Sequence, residues 1–149
     1  MEQIYLDNAA TTRIKPDSVI KAMTDFYKDI GCSPGRGGYQ SSLEAGRIIL
    51  ETRSIIGEFF NVPKPEQIIF THNITHSLNI AIKGLLKEGD HVITTTMEHN
   101  SVLRPLNNLE KSQNIDVDYI KCDKQGRLDI SEVRDAITDK TSLIIITHA

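Results

Sequence analysis

The sequence predicts an α/β fold, a three-layer αβα sandwich built on a mostly parallel sheet. Two observations carry that expectation. From residue 67 onward, short apolar runs alternate with longer stretches whose apolar residues recur at helical spacing. The last run, Thr141 to Thr147 (TSLIIIT), is almost continuously apolar, as expected of a strand covered on both faces. Parallel strands of this kind are joined by right-handed crossovers, and their ligands sit at the carboxyl ends of the strands.

Taken in order, Pro16 opens a first helix whose apolar residues Val19, Ile20, Met23, Phe26 and Tyr27 share one face, and Gly31 ends it. Gly31 to Ser42 (GCSPGRGGYQSS) is a glycine-rich loop free to adopt unusual dihedrals. Ser42 is the expected cap of a long helix running to Val62. Gln67 to Thr71 (QIIFT) is the first expected strand, followed by a helix over Thr75 to Leu86 that Gly89 terminates. Asp90 to Thr95 is the next strand, then a helix over Ser101 to Leu109 capped by Ser101 or Asn100. Ile115 to Ile120, a helix over Ile130 to Ile137 capped by Asp129, and the strand Thr141 to Thr147 complete the alternation. The composition divides the chain at 41/42, into an N-terminal helix with its glycine-rich loop (1–41) and a layered domain (42–149).

Composition narrows the function classes. With 149 residues the chain can bury a core, and a formal charge of −3 offers no broad positive field for nucleic acid or an anionic bilayer. The N-terminus lacks a basic segment followed by an apolar run, and no stretch approaches the roughly 18 apolar residues of a spanning helix, so a cytoplasmic address is expected. Cys32 and Cys122 stand 90 positions apart with no CxxC pair, and both are expected to be free thiols.

Three segments place chemistry at strand ends. Phe70 to His76 (FTHNITH) puts a polar turn before a helix, where backbone N–H groups and the helix dipole favour a phosphate and Thr75 adds a hydroxyl; a threonine there also serves as a plain cap. Met97-Glu98-His99-Asn100-Ser101 occupies the same position after the next strand, so His99 is expected beside Thr75, able to stack on a planar ring or exchange protons. His72 and His76 are four apart and could join His99 in a metal site. The break from strand to helix falls between them, however, and no glutamate follows the first histidine. The expected metal complement is none.

Leu6-Asp7-Asn8-Ala9-Ala10-Thr11, Phe70 to Asn79 and Met97 to Ser101, in that order, resemble the class V aminotransferase and cysteine desulfurase family, of the aspartate aminotransferase fold type. The resemblance implies the N-terminal portion of the large domain of a fold-type I pyridoxal phosphate transferase. It implies that Thr75 and the backbone N–H of His76 hold the phosphate of pyridoxal 5'-phosphate. His99 would stack on the pyridine ring and serve as a candidate for proton transfer, and Asn8 and Ala9 would border an amino-acid substrate. Arg36, in an Arg-Gly pair, would meet the substrate of a neighbouring subunit in a homodimer. It further implies conversion of L-cysteine to L-alanine with a persulfide passed to a sulfur-acceptor protein, in the service of iron–sulfur cluster assembly.

Departures accompany the match. Asn73 stands where the family has glycine, with positive φ as its expected accommodation, His76 stands where the family has an acidic residue, and Gly35 replaces a histidine before Arg36. The family's cofactor-facing asparagine, its aspartate and its Schiff-base lysine all fall after Ala149. The expectation is therefore a fragment that does not turn over alone. Transamination, selenocysteine cleavage or a non-catalytic assembly module remain the alternatives.

Overall fold

The structure, a computed structural model, describes residues 4–148. The chain packs as two compact units, one up to Phe70 and one from Thr71.

In the first unit, α1 (Asp17–Asp25) follows Pro16 and continues into a π-helical turn, Phe26–Ile30. Gly31, at φ +55°, closes that turn, and a β-carbon there would come within 3.1 Å of the Tyr27 carbonyl, so glycine suits the position. Helix α2 (Gln40–Phe59) starts earlier than expected. Its N-cap is Tyr39, and Ser42 lies within the first turn, buried, its hydroxyl donating to the Ser33 carbonyl. A 3-10 turn, Pro65–Gln67, follows.

The expected strand Gln67–Thr71 does not form. Gln67 ends the 3-10 turn, and residues 68–71 are in no helix or strand. Ile68 is extended, at φ −88° and ψ 115°, but β-rich composition makes a strand only where a neighbouring backbone completes the ladder, and no pairing reaches this run among the described residues.

The second unit is the predicted alternation. Its elements are α3 (Ile74–Leu85), β1 (His91–Thr95), α4 (Asn100–Gln113), β2 (Asp116–Ile120), α5 (Ile130–Asp135) and β3 (Thr141–Ile144). The strands make a parallel sheet in the order β2-β1-β3. Every residue of β1, the central strand, is buried.

Register aligns Val92 with Val117 and Leu143, so these side chains share one face of the pleat. On that face Ile82 and Leu86 together with Val102, Leu106 and Leu109 of α4 close the core. Helices α3 and α4 pack against each other, and α4 also touches β2. Each such aliphatic side chain contributes about 1.5–3 kcal/mol on burial.

Several terminal signals act as expected. Asp129 caps α5 by accepting from the Ser131 N–H at 2.8 Å and its hydroxyl at 2.6 Å. These bonds hold the Asp129 carboxyl below its ordinary range. Helix α4 instead begins at Asn100 and is capped by His99, a residue type whose neutral ring nitrogen accepts much as an Asx oxygen does. Cys32 and Cys122 are both free and half-buried.

Candidate functional site

The turn before α3 is built by Asn73. Its backbone is extended, at φ −169° and ψ 171°, so the positive φ anticipated for an asparagine in a glycine position is not used. The side chain takes the capping role instead, its Oδ1 accepting from the His76 N–H at 2.9 Å. Thr71 reinforces the turn, its hydroxyl donating to the Asn73 carbonyl at 3.1 Å and lying 2.6 Å from Ser77 Oγ.

This capping shifts the anion-binding capacity of the helix end. The His76 N–H, one of the expected phosphate donors, is engaged by Asn73. Among the described residues, the Ile74 and Thr75 N–H groups have no such acceptor, as is usual for the first turn of a helix. Thr75 is exposed, and its carbonyl accepts from Asn79 Nδ2 at 2.9 Å.

The turn between β1 and α4 carries His99. Its Nδ1 accepts from the Ser101 N–H at 3.1 Å and lies 2.9 Å from Ser101 Oγ. A backbone N–H can only donate, so the proton of the neutral ring resides on Nε2, and that edge is left for a ligand or a proton exchange.

Thr75 and His99, assigned to neighbouring strand ends from sequence, line one cavity of about 400 Å3. Asn79, Lys83, Ser101 and Arg104 line it with them, and no carboxylate does. Hydroxyls, carboxamides and two cations form a donor set suited to an anion such as a phosphoryl group. The flat imidazole at the same cavity suits a planar ring. The residues present therefore fit the phosphate and the ring of pyridoxal phosphate, with Thr75 and His99 as the groups that would hold it.

His76 is not among the residues that line this cavity. The His76 ring stacks on His72, with centroids 5.5 Å apart and planes 10° apart. Imidazole lone pairs lie in the ring plane, so nearly parallel stacked rings do not aim theirs at one ion. Asn8, Ala9 and Arg36 are exposed residues of the first unit. There Asn8 Oδ1 accepts from the Arg13 N–H at 3.3 Å, and the Tyr5 hydroxyl donates to the Thr11 carbonyl at 2.8 Å, which together fold the LDNAATT segment on itself.

Sequence reasoning missed Lys83 and Arg104, which a helix-face projection would have found: Thr75, Asn79 and Lys83 follow one another at four-residue spacing. It also assigned nothing to Glu98, which is buried beside His99.

Comparison with known proteins identifies the family and the fold. The Aminotransferase class-V family matches residues 4–149. A probable cysteine desulfurase of Methanothermobacter thermautotrophicus is 35% identical over 148 residues, covering 99% of this chain and 36% of that protein. The apo structure of a cysteine desulfurase from Thermococcus onnurineus NA1 superposes with a TM-score of 0.85 at 34% identity, over 96% of this chain and 36% of that one. The structure of SspA in complex with cysteine gives a TM-score of 0.77 at 31% identity, over 88% and 38%. The chain thus spans little more than a third of the length of these relatives. With a family match running over all the described residues, the chain belongs to the class V aminotransferase family.

Proposed function

We propose that this chain is the cofactor-phosphate and ring-stacking portion of a pyridoxal phosphate-dependent enzyme of the cysteine desulfurase type. The observation that carries the reading is the shared cavity of Thr75 and His99, two residues 24 positions apart in sequence and set by the separate turns that open α3 and α4. Similarity to cysteine desulfurases and to SspA, solved in complex with cysteine, supports an amino-acid substrate.

When bound, pyridoxal phosphate supplies the electron sink that lets a bond at the substrate carbon break. The residues of this chain bind, orient and exchange protons. The Thr75 hydroxyl and the open N–H groups of α3 hold the phosphate, with the helix dipole adding to the attraction. His99 lies against the ring with its Nδ1 fixed by Ser101, and Nε2 is the atom at which a proton is held or moved. Asn8 and Ala9 border the substrate, and Arg36 reaches toward the substrate of a second subunit in a homodimer. The overall conversion is L-cysteine to L-alanine, with sulfur leaving as a protein-bound persulfide for an acceptor protein in iron–sulfur cluster assembly, in the cytoplasm. This chain alone does not turn over.

The test compares ligands that differ by one group. The chain is titrated with pyridoxal 5'-phosphate and with pyridoxal, following induced circular dichroism in the cofactor band. Binding of the phosphorylated form at least about tenfold tighter than pyridoxal is expected, the size of one or more hydrogen bonds to a charged group. Equal affinities would overturn the assignment of the phosphate to α3.

A further inference from the structure

Glu98 is 7% exposed and sits at the carboxyl edge of the sheet, in the turn that carries His99. Its carboxylate accepts from three donors. Oε1 accepts from the Thr95 hydroxyl at 3.0 Å and from the Thr147 N–H at 2.8 Å, and Oε2 accepts from the Thr147 hydroxyl at 2.7 Å. Thr95 is the last residue of β1 and also accepts from the Met97 N–H at 3.2 Å, so the turn is closed from within. Thr147 lies 49 positions away, past the end of β3.

Nearby bonds extend the sheet toward that contact. The Ile145 N–H donates to the Ile93 carbonyl at 2.9 Å, and the Thr94 hydroxyl donates to the Ile145 carbonyl at 2.9 Å. On the other side, the Thr96 N–H donates to the carbonyl of Ile120, the last residue of β2, at 3.0 Å. The β1–α4 turn is therefore braced by the outlets of both flanking strands, and the brace toward β3 is a buried carboxylate.

An apolar side chain would fill this space without the cost of burying a carboxylate, so stability alone does not require one. A carboxylate with three fixed donors does what an apolar contact does not. It defines one distance and one orientation between two strand ends. We infer that Glu98 is a positioning residue for His99, tying the turn that presents the imidazole to Thr147 so that the two strand ends face the ligand as one rigid edge. This rests on the cofactor reading of the Thr75–His99 cavity for its consequence, although not for its geometry.

Two measurements on the full chain separate the two ideas. The first needs no ligand: amide exchange of Thr147 and the ring resonances of His99 are followed by NMR in the native chain and in Glu98→Ala and Glu98→Gln. Glu98→Ala is expected to speed Thr147 exchange at least about tenfold, the loss of a bond to a charged acceptor, and to shift the His99 ring resonances. Glu98→Gln, which keeps one carbonyl acceptor in the same volume, is expected to restore most of both signals and secures the test should the alanine variant unfold. Released Thr147 with unmoved His99 resonances, in either variant, would overturn the inference, as would a folded Glu98→Ala whose Thr147 exchange and His99 resonances match the native chain.

The second measurement adds ligands. In Glu98→Ala, pyridoxal phosphate affinity is expected to fall about tenfold while inorganic phosphate affinity holds within about twofold, because Thr75 and α3 are not part of the brace. Equal losses for the two ligands would contradict a role specific to His99. Failure of the native chain to bind pyridoxal phosphate would sink the cofactor reading, while the ligand-free NMR result would still decide the role of Glu98.

Discussion

From Thr71 onward the chain hides Ile82, Val92, Ile93 and Leu106 completely, while α1 of the first unit buries nothing and α2 buries only Ser42, Ala45 and Gly57. Both units carry apolar residues at helical spacing. Ile20, Met23, Ile55 and Phe59 are 51%, 57%, 67% and 80% exposed, although their spacing matches that of the buried residues of α3 and α4. Periodicity states which face of a helix is apolar and leaves open what covers it. In the second unit a parallel sheet supplies the cover, and the same unit holds the cavity shared by Thr75 and His99.

The largest expected effect tests the covered side of that contrast. Leu106→Ala removes a side chain that is 0% exposed and leaves a cavity against β1, so it should destabilise the second unit by about 3 kcal/mol in urea unfolding. A change below about 1 kcal/mol would show that the core is looser than its burial implies.

An alkaline prediction sharpens the picture of the sheet edge. Burial, then the hydrogen bond from the Tyr119 hydroxyl to Glu110 Oε2 at 3.0 Å, pushes the Tyr119 phenol up to about 12. The folded state thus holds this proton at pH values where the unfolded chain has lost it. The associated stability is complete below pH 10.0, the ordinary phenol value, and is lost as pH rises toward about 12. Ultraviolet titration should show one late-ionising tyrosine, and Tyr119→Phe should remove both that step and its share of the alkaline loss.

Smaller effects distinguish a cap from a ligand site. Asn73→Gly should cost α3 only a few tenths of a kcal/mol, since glycine is a tolerated N-cap, while freeing the His76 N–H. Inorganic phosphate should then bind more tightly, as measured by calorimetry. Weaker binding would mean that Asn73 itself serves the anion. The smallest effect belongs to the first unit, where Ile55→Ala should change unfolding by no more than about 0.5 kcal/mol because the side chain is already in water. A larger loss would erase the contrast between the units.

The sequence showed the second unit well because its signals are local: a buried strand reads as an apolar run, and Asp129 announces a helix start. The QIIFT run had the same local signal and, among the described residues, no partner, so its composition misled. Caps were misassigned where another residue took the position: His99 caps α4 by accepting from the Ser101 N–H, and Tyr39 stands at the N-cap of α2 without a side-chain bond. Thr75 and His99 were legible because each stands where a polar turn opens a helix, α3 or α4, and those helices pack together, although the strand expected before Thr75 does not form. Glu98 was not, since its partner Thr147 is 49 residues away and no local spacing points to it.

The most direct test of the account is a pyridoxal phosphate titration of the chain beside Thr75→Ala and His99→Ala, with borohydride added at saturation. The account predicts non-covalent binding that weakens at least about tenfold in each variant and leaves no reduced lysine adduct. Binding indifferent to both substitutions, or a borohydride-trapped adduct on a lysine of this chain, would contradict it.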